Sequence, residues 1–288
     1  MNLDYHNKEL VRIALAEDIG SGDVTSLTLI PASMKGTAII VAKQPLVVCG
    51  MLVAQYLCEL LHPEIKLDWQ INDGDYANSG DTIASLSGPY QPILALERTL
   101  LNFLQHLSAI SSKSRRLSEM AKPHQVKILD TRKTTPGWRT LEKYAVRIGG
   151  CFNHRHGLFD QVLIKDTHVD AFPGTLTETV EITRQKNDSA IKIEIEVRNM
   201  DELAAALKGR PDIVMLDNMS PEQVKSAVKF VRSSELGKSV LIELSGGMNE
   251  TNISPYFACG ADAISVGELT HSIKAVDIGM YYQPEHTQ

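Results

Sequence analysis

The chain has 288 residues, 43% apolar and 22% charged, which is ordinary globular composition with room for one large domain or two smaller ones. No apolar run approaches the ~20 residues of a membrane-spanning helix, and a formal net charge of −6 argues against general nucleic-acid binding. Cys49, Cys58, Cys151 and Cys259 have neither CxxC nor zinc-finger spacing and read as reduced, buried thiols; residues 1–6 lack the basic and apolar regions of a signal peptide, so a cytoplasmic protein is expected.

Leu10, Ile13, Ala14 and Glu17 space an amphipathic helix over 5–18, ended by Ile19-Gly20-Ser21-Gly22-Asp23. Short alternating segments follow at 36–41, 45–49, 65–71 and 82–87, separated by turns such as Asn72-Asp73-Gly74-Asp75 and interrupted by a helix over 51–62. They predict a small β-rich domain. A long helix over 93–122, with Leu96, Leu100, Phe103, Leu104 and Leu107 on one face, leads to a second domain.

From residue 126 the rhythm changes. Apolar runs at 126–129, 161–164, 191–197, 213–216, 240–244 and 263–266 alternate with helical patterns near 138–148, 175–187, 201–208, 220–234, 249–258 and 269–276. Such alternation implies parallel strands with right-handed crossovers, closed into an α/β barrel or lying as an open doubly wound sheet. Each run ends in polar or charged groups: Asp130-Thr131-Arg132-Lys133, Lys165-Asp166, Glu194 and Glu196, Asp217-Asn218, Ser245-Gly246-Gly247, and Gly267-Glu268. In a parallel fold these meet on one rim, where active sites are built.

The window from Arg132 to His168 holds seven Lys or Arg against three acids, a local charge of +4 that leaves −10 on the rest. A basic island in an acidic chain suits a compact anion. Arg132 offers a planar fork for carboxylate or phosphate, and His154 and Arg155 follow in a loop. Within the window, Trp138, Leu141, Tyr144, Ala145 and Ile148 predict the buried stripe of a helix, and Arg139, Lys143 and Arg147 a solvated one. Lys165 falls where a strand should be buried, so it needs Asp166, Glu194, Glu196 or a ligand anion as partner; Schiff-base chemistry is a second option. Glu194 and Glu196 share a strand face. With Asp217 they suit Mg²⁺ held together with substrate oxygens, or salt bridges to Lys165. Two glycine turns, with His271 nearby, suit a phosphate. Gly20-Ser21-Gly22 follows a helix and is not a dinucleotide loop.

Asp130-Thr131-Arg132-Lys133-Thr134-Thr135-Pro136-Gly137, Leu141-Glu142-Lys143-Tyr144-Ala145-Val146, Asn153-His154-Arg155 and Leu163-Ile164-Lys165-Asp166 followed by His168 resemble the quinolinate phosphoribosyltransferase family, the carboxylating nicotinate-nucleotide pyrophosphorylases of NAD biosynthesis. Glu17-Asp18 with Gly22-Asp23-Val24-Thr25, Glu97-Arg98-Thr99, Glu194-Ile195-Glu196-Val197, Leu216-Asp217-Asn218 and Ser245-Gly246-Gly247 extend the likeness along the whole chain. Trp138 stands where the family has a smaller apolar residue, Cys151 replaces a glycine, and Thr167 an asparagine.

The resemblance implies an α/β fold: an N-terminal α/β sandwich domain over 1–110, on which the tail 275–288 packs back, and an incomplete parallel barrel of about six strands over 111–274. It implies transfer of phosphoribosyl from phosphoribosyl pyrophosphate to quinolinate with decarboxylation. It also implies a cytoplasmic homodimer in which Arg98 reaches the neighbouring site. Arg132, Lys133, His154 and Arg155 would hold the acceptor carboxylates, and Thr131 would also bind substrate. Lys165, Glu196 and Asp217 would be catalytic, facing ribose and pyrophosphate, with Mg²⁺ on Glu196 and Asp217. Ser245, Gly246, Gly247, Val266, Gly267, Glu268 and His271 would take the 5′-phosphate. The rivals are a phosphoribosyltransferase for another pyridine, a barrel aldolase using Lys165, and a phosphoanion- or RNA-binding module.

Overall fold

The computed structural model describes residues 3–284. In chain order its helices are α1 (Tyr5–Ile19), α2 (Val24–Leu29), α3 (Met51–Leu61), α4 (Tyr90–Ala121), α5 (Arg139–Ile148), α6 (Asp166–Ala171), α7 (Leu176–Lys186), α8 (Met200–Lys208), α9 (Pro221–Ser233) and α10 (Glu268–His271). Its strands are β1 (Lys35–Ala42), β2 (Leu46–Val47), β3 (Lys66–Trp69), β4 (Tyr76–Ala77), β5 (Thr82–Pro89), β6 (Lys127–Leu129), β7 (Val162–Ile164), β8 (Ile193–Val197), β9 (Ile213–Asp217), β10 (Leu241–Ser245), β11 (Ala263–Ser265) and β12 (Ile278–Pro284). Among the described residues no helix is long and apolar enough to cross a membrane.

The chain divides into two compact units. The first takes the residues up to Arg115, Thr135–Gly150 and the residues from Ser272 on. Its sheet runs β12-β1-β5-β3, antiparallel throughout. β1 alternates buried and less buried positions, the mark of a strand with one covered face. The C-terminal strand pairs with β1 from Gly36↔Pro284 to Ala42↔Ile278. Gly36 has to be glycine: a Cβ there would lie 2.7 Å from the Tyr90 ring. Asp73 accepts from the amides of Gly50 and Met51 and so closes the amino end of α3.

The second unit takes Arg116–Thr134 and Cys151–His271 and holds a six-stranded parallel sheet in the order β6-β11-β10-β9-β8-β7. All five positions of β8 are buried, as expected of a parallel strand covered on both faces. Acid clamps tie the amino ends of the strands. Asp212 accepts from the Ile193 amide and from Arg184, and Asp262 accepts from the Ile242 amide and from Arg232. The sheet is strongly curled. Phe152 bridges the free side of β6, five strand steps from β8, or about 24 Å if flat. Yet His154 Nε2 lies 3.0 Å from Glu194 in β8. Only curvature toward closure brings these edges together, which favours the incomplete barrel over the open sheet.

Four local expectations are corrected. In α1 the buried residues are Asn7, Val11 and Leu15, while Ile13 is 63% exposed. The spacing selects a helix, but neighbours choose its face. Residues 249–258 form turns and a 3₁₀ segment at Ser254–Cys259, where Pro255 withholds an amide donor. Residues 269–276 give one turn, α10, before the chain runs out into β12. Lys143 is buried rather than solvated, as is its neighbour Glu142, which accepts from the Thr135 amide and pairs with His106.

Candidate active site

The site is built on the carboxyl ends of the parallel strands. Asp130, fully buried just past β6, accepts from the His154 amide at 2.9 Å and the Asn153 side-chain amide at 2.6 Å. This bond pair holds the 153–155 loop against the strand end that leads into Arg132. Thr131 Oγ1 accepts from the Lys133 amide at 3.0 Å and turns the chain. Arg155 is buried, and its Nη1 donates to the Gln161 carbonyl at 3.2 Å. Burial and the positive charge of Arg132 hold the Arg155 guanidinium below its ordinary value. The Glu194 and Asp160 carboxylates partly offset this repulsion.

Lys133 takes a different place from its neighbour. A Cβ on Gly267 would stand 3.0 Å from the His271 ring and 3.1 Å from Lys133 Cδ. The Lys133 carbonyl also accepts from Thr270 Oγ1 at 2.7 Å. Lys133 therefore runs beside the Gly267 turn, linking the expected acceptor side to the expected phosphate side. The second turn has its own demand. Gly246 sits at φ 112 and Gly247 at φ 58, conformations that favour glycine. Val266 and Glu268 flank Gly267 at the end of β11.

Lys165 is not the buried strand residue the sequence suggested. It lies one residue past β7 with its side chain about half exposed, Nζ 3.8 Å from Glu196. Burial and the charge of Asp217 push the Glu196 carboxyl up, and Lys165 pulls it back. Asp217 in turn accepts from Asn218 Nδ2 at 2.5 Å. Glu196 and Asp217 are thus neighbouring carboxylates at adjacent strand ends.

Deeper in the curl lies a group only partly legible in the sequence. His154 Nε2 lies 3.0 Å from Glu194 and 3.4 Å from Glu243, both buried. Gln161 Nε2 donates to Glu194 at 2.7 Å, and Ser265 Oγ donates to Glu243. Burial opposes a charged ring, but the two carboxylates outweigh it and raise His154 to about 10. Burial and Glu243 likewise push the Glu194 carboxyl up. The Arg155 amide hydrogen lies toward His154 Nδ1, with the two nitrogens 2.7 Å apart. Glu243 was missed, although an acid in the middle of the apolar run Leu241-Ile242-Glu243-Leu244 was a usable signal. Asp130 and Gln161 carried none beyond polarity.

Arg98 belongs to the first unit. Its side chain is 59% exposed, with Glu97 at 3.7 Å. Glu97 also accepts from the Tyr282 hydroxyl, and burial, with this bond second, raises that phenol. Asp18, Asp23, Val24 and Leu94 line an open cleft with it. Val24, Leu27 and Leu29 are each more than 60% exposed.

Comparisons with known proteins match the chain along nearly its whole length. Residues 23–108 match the family model of the quinolinate phosphoribosyl transferase N-terminal domain, and residues 110–281 that of the C-terminal domain. A Methanocaldococcus jannaschii protein described as a probable nicotinate-nucleotide pyrophosphorylase [carboxylating] is 40% identical, with 96% of this chain and 97% of that protein covered. A Bacillus subtilis protein of the same description is 37% identical, covering 95% and 92%. The solved nicotinate-nucleotide pyrophosphorylase of Francisella tularensis superposes with a TM-score of 0.91 at 37% identity, covering 98% of both chains.

Proposed function

Because this chain belongs to the quinolinate phosphoribosyltransferase family, we propose that it transfers phosphoribosyl from phosphoribosyl pyrophosphate to quinolinate. The products are nicotinate mononucleotide, pyrophosphate and CO₂, in NAD biosynthesis. One observation carries the reading. A single rim combines the guanidiniums of Arg132 and Arg155, the carboxylates of Glu196 and Asp217 at adjacent strand ends, and two glycine turns. A dicarboxylate acceptor and a phosphorylated sugar match those three parts.

Arg132 and Arg155 hold the quinolinate carboxylates, with Lys133 between the acceptor and the phosphate turn. The pyridine nitrogen already carries a lone pair and needs no strong base. It forms the N–C1′ bond as the C1′–O bond breaks, and that electron pair leaves with pyrophosphate. Lys165 binds the departing oxygens, while Glu196 and Asp217 offset positive charge growing on the ribose. When the adjacent carboxylate departs as CO₂, the electron pair of the broken bond stays on that ring carbon as a carbanion, which the now cationic ring nitrogen beside it stabilises. A proton from water then completes the ring carbon. Ser245–Gly247 and Val266–Glu268, with His271, hold the 5′-phosphate.

Glu196 and Asp217 fit Mg²⁺, which takes one or two protein carboxylates and completes its shell with water and substrate oxygens. When bound, it supplies charge neutralisation for the leaving pyrophosphate. We read the enzyme as a homodimer in which Arg98 completes the neighbouring site. An exposed arginine amid exposed Val24, Leu27 and Leu29 supports that reading. Buried, unbridged thiols at all four cysteines are in keeping with a cytoplasmic enzyme.

The test is incubation with quinolinate, phosphoribosyl pyrophosphate and Mg²⁺. Nicotinate mononucleotide and CO₂ in equal amounts are expected. Turnover of nicotinate but not quinolinate would overturn the substrate assignment.

A further inference from the structure

We infer that Glu194 and Glu243, strand residues outside the substrate rim, are positioning residues that act through His154 and Gln161 to fix Arg155. The inference rests on the reading above in which Arg155 holds the acceptor.

The geometry is a closed circuit of hydrogen bonds. The Arg155 amide donates to His154 Nδ1 at 2.7 Å. His154 Nε2 meets Glu194 Oε2 at 3.0 Å. Gln161 Nε2 donates to that same oxygen at 2.7 Å. The Gln161 carbonyl accepts from Arg155 Nη1 at 3.2 Å, which closes the ring. Arg155 is therefore gripped at both ends, backbone and guanidinium, and Glu194 Oε2 is the one atom on which both arms meet. Glu243 braces the circuit from the next strand but one. It lies 3.4 Å from His154 Nε2 and is itself held by Ser265, the residue before the Val266–Glu268 turn.

Both ring nitrogens of His154 are thus engaged within the protein, and its side chain is 7% exposed. It organises the loop rather than reaching outward. The three groups also have the composition of a metal site, with one possible ligand atom of each within 4.8 Å of the others. Hydrogen-bond donors from Gln161 and Ser265 already occupy the converging carboxylate oxygens, which favours the hydrogen-bonded circuit. One cost is retained. Glu194 Oε1 is buried without a hydrogen-bond partner. An apolar residue would remove that cost but also remove the hub, so a carboxylate here is explained by what it positions.

The test uses the full chain. E194Q keeps the shape of the side chain but removes its charge and part of its accepting power. Its KM for quinolinate should rise about ten- to a hundredfold. Its KM for phosphoribosyl pyrophosphate should stay within about twofold, since the donor's contacts are elsewhere. Q161A and E243Q should show the same split, which keeps the idea testable if E194Q does not fold. In an R155K background, E194Q should add less than about twofold, because the two act on one contact. Equal increases in both KM values, or the full E194Q effect in R155K, would overturn the inference. A wild-type enzyme inactive on quinolinate would instead sink the reading it rests on.

Discussion

Asn218 occupies the space a side chain on Gly246 would need: a Cβ there would lie 2.3 Å from Asn218 Oδ1 and 2.8 Å from its backbone nitrogen. The two residues lock neighbouring strand ends, and the Asn218 amide donates to the Ser245 carbonyl at 3.0 Å. Gly246→Ala should therefore both strain φ 112 and push Asn218 away from Asp217. We expect a loss of about 1–3 kcal/mol in stability. The KM for phosphoribosyl pyrophosphate should rise more than that for quinolinate. A thermal melt and steady-state kinetics check this; an alanine variant with both unchanged would contradict it.

Arg98 makes a prediction about assembly. R98A and K165A should each be inactive alone. Mixed in equal amounts with exchange of subunits, half the dimers are hybrid, and each hybrid carries one intact site. Activity should recover to about a quarter of wild type. Assay of the re-equilibrated mixture decides it, and no recovery would mean that Arg98 serves its own chain.

Removal of Mg²⁺ with a chelator should abolish turnover. E196Q and D217N should each shift the half-saturating Mg²⁺ concentration upward by about tenfold. Titrating activity against Mg²⁺ measures this. A requirement identical in all three proteins would place the ion on substrate oxygens alone.

Asp212 sets part of the acid limb of stability. Burial alone would raise its carboxyl, but the Ile193 amide, Arg184 and Lys192 hold it below the ordinary carboxylate range. Its folded pKa is thus below the unfolded one. The contribution is complete above about pH 4 and disappears as pH falls through the folded value. With solvent screening, Asp212→Asn should cost about 1 kcal/mol at neutral pH, or a Tm lower by about 2–4 °C. The difference from wild type should shrink toward pH 2. Melts across pH 2–7 would show it, and a constant gap would refute the assignment.

Much of this protein was legible from local chemistry. The six parallel strands fall within two residues of the apolar runs that predicted them, because a strand covered on both faces must be apolar and ends where charge begins. Arg132, Lys165, Glu196, Asp217 and the two glycine turns stood out for the same reason: each lies within three residues of the carboxyl end of a strand. The helical stripe fared less well. Lys143 is buried and Ile13 exposed, since periodicity defines faces but not the surfaces they meet.

The sequence by itself determined the elements, their parallel order along the chain and the chemistry of the rim. Only the tertiary structure decided what lies across the curl. His154 and Glu194 are 40 residues apart in sequence, and Phe152, two residues before His154, stands five strand steps from β8, yet His154 Nε2 lies 3.0 Å from the Glu194 carboxylate. Lys133 and Gly267 stand side by side although they come from the two ends of the second unit. Contacts of that kind arise from sheet curvature, a sum of small twists over many residues, and no local pattern encodes that sum.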